Sequence, residues 1–348
     1  MSTAAAIRSG DVTLLPGRRD EDWRWTDLRG LLRVLPPPSP EEAAPSEAGP
    51  FGELGEGEIV VVNGAVQEGM PSLTVPAGER CERRLRFVST RSETRHEARL
   101  TINVGPGAHL LLLESYEAAA GVHGYVAAAT LDIRLAEGAS LERVVLALDG
   151  EGAVEVSCAS VDLHARAKLS QTVLAEGAKR RRLETHVAHL GEGAAARIDG
   201  VYLLSGASHA DITTLVAHRV PGGATDQLVK GVVRDQSRAV FQGRIVVAHG
   251  ADRTEARMGH HALILSDRAE VDAKPELEIY ADDVACGHGN TVGSLDEDAL
   301  FYARQRGMPE PVARAMLTEA FVGEVLDRIE DPAAREVART WAAGRLGG

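Results

Sequence analysis

Leu131-Asp-Ile-Arg-Leu-Ala-Glu-Gly-Ala139 decides the fold. Large aliphatics at alternate positions, separated by charged residues, read as a strand with one buried face, and the small residues that follow make a corner. The unit recurs. Small-residue corners fall at Ala108, Ala139, Ala167, Ala194, Ala224 and Ala251, separated by 31, 28, 27, 30 and 27 residues. Intermediate corners at Ala153, Ala178, Ala207, Ala239 and Ala269 divide most of these intervals. A repeat of this period without helices predicts stacked β coils, because one coil cannot cover its own apolar face and needs its neighbours to do so. The expected fold is mainly β, a parallel β-helix over residues 96–293, with an ordinary β-sandwich as the alternative built from similar short strands. A solenoid leaves open strand edges at its ends, so dimerisation is expected.

The chain changes character on both sides of the repeat. Upstream, residues 1–95 read as a mixed, partly helical domain. Asp20 to Arg33 places Leu28, Leu31 and Leu32 at helical spacing, which predicts an amphipathic docking helix anchored by Trp23 and Trp25. Pro36-Pro-Pro-Ser-Pro40 stops it, and the acidic, Ala/Gly/Pro-rich stretch over 36–58 reads as a flexible linker. Ile59 to Val66 then reads as two short strands about an Asn63-Gly64 turn. Downstream, residues 294–348 read as a helical docking domain: Ser294-Leu-Asp-Glu297 predicts a capping-box start, and further helices begin at Pro309 and near Pro332.

With 38 Lys and Arg against 51 Asp and Glu, the net charge of -13 opposes binding to nucleic acid or anionic lipid. Met1 to Asp11 lacks the apolar core of a signal peptide, and the aliphatic run Leu110 to Leu113 is too short to span a bilayer. Cys81, Cys158 and Cys286 are far apart and form no CxxC pair, which fits a reducing, cytoplasmic setting.

Motifs that would carry catalysis are missing: no GxxxxGK[ST] loop for ATP phosphates, no HExxH and no GxSxG. The chain therefore reads as a non-enzyme. Its densest segment runs from Leu263 to Gly293. Alternation there sets Leu277 and Ile279 on one face and Glu276 and Glu278 on the other. Cys286 and His288 are two apart and project to one side of an extended strand, where they offer half of an iron or cluster site. The bland reading of the same pair is a buried cysteine beside an incidental histidine. His260 and His261 are adjacent and point to opposite faces, which suits packing better than a metal, and Asp282-Asp283 reads as a turn. Cys81 and Cys158 read as packing residues.

Lys274-Pro-Glu-Leu-Glu-Ile-Tyr-Ala-Asp-Asp-Val284, Cys286-Gly-His-Gly-Asn-Thr-Val-Gly-Ser-Leu-Asp296 and Leu300-Phe-Tyr-Ala-Arg-Gln-Arg-Gly307 together resemble the signature of the SufB/SufD family of iron-sulfur cluster assembly scaffolds. Val240-Phe-Gln-Gly-Arg-Ile-Val-Val247 resembles a further family stretch, and Glu21-Asp-Trp-Arg-Trp-Thr-Asp-Leu28 resembles the N-terminal box of its SufD branch. The resemblance implies a right-handed parallel β-helix between N-terminal and C-terminal helical domains, a SufB partner joined through the β-helix, and the ATPase SufC docked on the C-terminal helices. It implies that SufC alone binds ATP, that no cofactor is permanently held, and that an iron or iron-sulfur cluster is shared transiently with SufB. For the isolated chain, homodimer and monomer both stay open. His288 matches the family's cluster- or iron-handling histidine and Cys286 the neighbouring cysteine. Gly287, Asn290 and His260 depart from the family's usual residues. Ala269 stands where SufB carries a cysteine, which separates this chain from a SufB-type scaffold, the nearer alternative. The remoter alternative is a β-helix polysaccharide lyase or hydrolase using clustered carboxylates.

Overall fold

The computed structural model describes residues 3–52, 54–67, 71–148 and 150–347. In chain order, α1 (Thr3–Ser9) and the single-turn α2 (Leu28–Leu31) are followed by β1 (Glu58–Val62), β2 (Ala65–Val66), β3 (Ser72–Val75), β4 (Arg80–Ser89), β5 (Arg95–Val104), β6 (His109–Ala118), β7 (Val126–Leu135), β8 (Ser140–Ala147) and β9 (Gly150–Leu163). Then come β10 (Lys168–Glu176), β11 (Ala178–His189), β12 (Ala195–Leu204), β13 (His209–His218), β14 (Ala224–Val233), β15 (Arg238–Val247), β16 (Thr254–Ile264), β17 (Glu270–Ile279) and β18 (Val284–Gly293). The helices α3 (Glu297–Gln305), α4 (Glu310–Leu326) and α5 (Pro332–Leu346) follow.

From β3 onward the strands alternate between two sheets. Odd-numbered strands to β17 form one, and even-numbered strands to β18 form the other, extended by β1 and β2. Pairing is parallel throughout except in the β1–β2 hairpin, so the chain is a parallel β-solenoid of about eight turns. Antiparallel sandwich pairing is thereby excluded. Lys168 pairs with Ala195, Ala195 with Ala224 and Ala224 with Glu255, steps of 27, 29 and 31 residues.

The corners are where the repeat puts them. Ala108, Ala139, Ala167 and Ala194 immediately precede β6, β8, β10 and β12 and stack, with Ser140 N–H donating to Ala108 O, Lys168 N–H to Ala139 O and Ala195 N–H to Ala167 O. The next rung differs by one residue. Ala224 pairs with Ala195 and is exposed, so Gly223 takes the corner, and a Cβ there would lie 2.5 Å from His218 Nδ1 and 3.1 Å from His189 Nδ1. Ala207, by contrast with its buried counterparts Ala153, Ala178, Ala239 and Ala269, is exposed in the turn before β13.

Inside, equivalent residues stack from coil to coil. Ile102, Ile133, Val161, Val187, Val216 and Ile245 pair successively along the odd-numbered sheet, all buried. Each such side chain contributes about 1.5–3 kcal/mol by leaving water. In β6 and β8 the even-numbered sheet is buried on both faces, which explains the unbroken runs Leu110–Leu113 and Val144–Ala147. Its outer face carries α4 and α5: Val322, Val325, Leu326, Ala338, Trp341 and Ala342 cluster with Leu113, Val144, Leu146, Val201, Leu203 and Val232.

Four details differ from the sequence reading. Asp20–Arg33 is not one amphipathic helix: only a 3-10 turn at Glu21–Trp23 and the four-residue α2 form. Tertiary contacts override the helical spacing, because Thr26 Oγ1 donates to the buried Asp211 carboxylate at 2.5 Å, Trp23 lies over the Arg182 guanidinium at 4.0 Å, and Leu28 is buried beside Val126 and Val154. The segment after Pro36 is irregular yet anchored, Pro38 bridging Arg95 and Phe51 packing with the C-terminal helices. At the other end α3 is capped by Asp296, which accepts from the N–H groups of Asp298 and Ala299, rather than by Ser294. The sheets also reach upstream of residue 96, since β1 pairs with β4 and β3 with β5.

Candidate functional site

The solenoid ends in two strands that each have an unpaired edge, β17 and β18. Register sets Cys286, His288 and Asn290 of β18 beside Ala256, Met258 and His260 of β16, and all three of those neighbours are buried. The inward-facing row of the last strand thus continues the core, but nothing stacks on its far side. Cys286 is half-buried against the core, and burial pushes its thiol above the ordinary value, with a backbone hydrogen bond at Ala256 opposing. His288, one step further along the same face, is exposed. The opposite face is bare: a Cβ at Gly287 or Gly289 would meet nothing within 4 Å, so another backbone could approach closely there.

The neighbouring histidines have separate roles. His260 is fully buried, stacked on Phe241 with ring centroids 4.6 Å apart, and its two ring nitrogens lie 3.0 Å from Tyr202 OH and 2.7 Å from Asn290 Oδ1. Burial pulls its pKa down to about 4, so it is a neutral hydrogen-bonding residue that ties β18 to the core. His261 turns to the opposite side, its Nδ1 2.7 Å from Thr291 Oγ1. Asp282 and Asp283 lie in the turn before β18, where Asp283 O accepts from Arg253 N–H.

Among the described residues, no third His, Cys, Asp or Glu donor joins Cys286 and His288 in a cluster. The pair offers two ligand-type side chains on one face at the open end of the solenoid. The carboxylates of β17 are not free to complete it: Glu276 and Glu278 contact Arg244 at 3.0 and 3.4 Å, and Lys274 bonds Glu21 at 2.7 Å.

Two features were not legible as sites in the sequence. Cys158, read as packing, sits on the outer face of the odd-numbered sheet with Glu184 and His186; their spacing of 26 and 28 residues becomes proximity only through the register of β9 with β11. On the helical domain, Phe301 and Tyr302 of α3 and Val312 and Met316 of the first half of α4 are large apolar side chains left exposed. No helix among the described residues is long and apolar enough to cross a membrane.

Comparison with known proteins gives a consistent result. The family described as SUF system FeS cluster assembly, SufBD core domain, matches residues 87–321. An iron-sulfur cluster assembly SufBD family protein of Synechocystis sp. is 38% identical over 153 residues, covering 44% of this chain and 34% of that protein. The iron-sulfur cluster assembly protein SufD of Escherichia coli is 37% identical over 158 residues, covering 45% of this chain and 37% of the relative. SufD of Bacillus subtilis is 30% identical over 139 residues, 40% of this chain and 32% of the relative. The matched stretches thus span about a third of these relatives' lengths.

Proposed function

Because the chain belongs to the SufBD family of the SUF iron-sulfur cluster assembly system and is SufD-like, we propose that it is a non-catalytic scaffold subunit that meets SufB at the open end of its solenoid. The observation that carries this is the Cys286–His288 half-site on an edge strand with no partner beyond it. An edge strand with a glycine-lined face is built to receive another strand, and a two-ligand site requires ligands from across such a contact.

In this reading His288, exposed and unencumbered by burial, is the iron or nascent-cluster ligand, and Cys286 is either a second ligand or its packing support. Residence is transient and no cofactor is held permanently. SufC docks on the exposed apolar residues of α3 and α4 and alone binds ATP, and its ATP-driven movement is transmitted through α4 and α5 to the even-numbered sheet. Neither nucleic acid nor membrane takes part, and the work is done in the cytoplasm, where the three free thiols stay reduced.

Co-expression with SufB and SufC, followed by isolation of the assembly and iron and sulfide analysis, tests the proposal. One copy of this chain should accompany SufB, with SufC bound. His288→Ala should leave the assembly intact while lowering its iron content several-fold. Failure to associate would sink the partner assignment, and unchanged iron in the variant would remove His288 from the site.

A further inference from the structure

A second group of ligand-type side chains lies away from the solenoid end. In the parallel register of β9 with β11, Cys158 stands opposite Glu184 and Ser160 opposite His186. Residues two apart on a strand share a face, so the thiol, the carboxylate and the imidazole project together. One donor atom of each lies within 4.8 Å of the other two, the sole group of three His, Cys, Asp or Glu donors so placed among the described residues. His186 Nε2 is 3.5 Å from Glu184 Oε2, close to the roughly 3.3 Å that separates two ligands on a tetrahedral ion with bonds of about 2.0–2.1 Å.

The surroundings support a ligating role for the carboxylate. Glu184 Oε1 is held by Arg182 Nε, and Arg182 is itself held through Nη1 to Asp211 Oδ2 at 2.9 Å. One oxygen is therefore fixed while the other turns toward His186, the arrangement in which outer partners orient metal-bound carboxylates. Arg182 is outnumbered by Glu184 and Asp211, so the neighbourhood keeps a net negative charge. A cleft of about 230 Å³, bordered by Asp22, Trp23, Thr213 and Arg244, opens onto Glu184 and His186. It provides an entry path and room for a solvent ligand.

We propose that Cys158, Glu184 and His186 bind a zinc-class divalent cation through sulfur, oxygen and nitrogen, with a fourth position open to the cleft. A mixed soft and borderline donor set of this kind suits first-row ions such as Zn2+ and Co2+ better than Mg2+ or Ca2+. Binding breaks the S–H bond, forms a sulfur–metal bond and releases the proton to solvent.

The site is independent of the SufD-like reading, and its test uses different residues. The full chain is titrated with Co2+ while the thiolate-to-cobalt charge-transfer absorption in the near ultraviolet is followed, and Zn2+ is then added in competition. The expected result is a band that saturates at a single equivalent, is displaced by Zn2+, disappears in Cys158→Ser and persists in Cys81→Ser, the buried packing thiol. His186→Ala, at a side chain 40% exposed, should weaken binding at least tenfold, and it decides the question if Cys158→Ser does not fold. The proposal is overturned by the absence of a saturable band, by a band that persists undiminished in Cys158→Ser, or by parental affinity in His186→Ala.

Discussion

Arg143 shows how single residues hold the solenoid interior. It is fully enclosed, donates through Nε and Nη2 to Glu114 at 2.7 Å each and through Nη1 to Gln171 at 2.6 Å, and Gln171 passes the chain on to Thr185 of the opposite sheet. Removing one partner of such a pair strands a buried charge, so Arg143→Ala should cost about 3–5 kcal/mol in urea unfolding. Histidines provide a second residue-scale expectation. Burial holds His189 at about 3 and His218 and His260 at about 4, against 6.5 when exposed. Since the unfolded chain then binds more protons, these residues cost nothing above pH 6.5 and oppose folding increasingly as pH falls toward 4. Each should remove about 2 kcal/mol by pH 5, visible as a drop in melting temperature between pH 7 and pH 5.

At the scale of elements, the C-terminal helices are bound to the solenoid by a shared apolar cluster and by ion pairs and hydrogen bonds. Trp341 is buried against the even-numbered sheet and donates its Nε1–H to Glu176 at 2.7 Å, while Glu142 accepts from the backbone N–H groups of Glu330 and Asp331. Trp341→Ala should destabilise the docked helices by about 3–5 kcal/mol and raise hydrogen exchange in α4 and α5 before it does so in β10 or β12. If exchange rises equally in the coils, the helices are part of one cooperative unit with them. The edge strand β18 is the other element with a role of its own. Its glycines weaken it as a strand and leave its outer side uncovered, which fits an element finished by a partner.

Considered whole, the molecule is a rod whose two sheets end together at β17 and β18, with helices along the flank of the even-numbered sheet. Open ends associate. Gly289→Lys places a charge where nothing lies within 4 Å, so thermal stability should stay within about 0.5 kcal/mol while pairing with SufB, and any self-association of the isolated chain, is lost in size-exclusion and light-scattering measurements. Retained association would move the contact elsewhere on the rod.

The alternation at Leu131–Leu135 and the alanine corners by themselves determined a coiled β architecture, because a two-residue period and a coil-length repeat are local and additive along the chain. Cys286 and His288 were likewise legible as a shared-face pair, being two apart on one strand. Other features depended on residues distant in sequence. Asp20–Arg33 has helical spacing, but Thr26, Trp23 and Leu28 gain more from Asp211, Arg182 and the odd-numbered sheet than from a continuous helix. Gly223 rather than Ala224 holds the corner because His189 and His218 stack into the space a Cβ would fill. Cys158 meets Glu184 and His186 only because a coil brings residue 184 back beside residue 158. Register between coils, set by turn lengths that vary from rung to rung, fixes which distant side chains become neighbours, and that information exists only once the chain has wound upon itself.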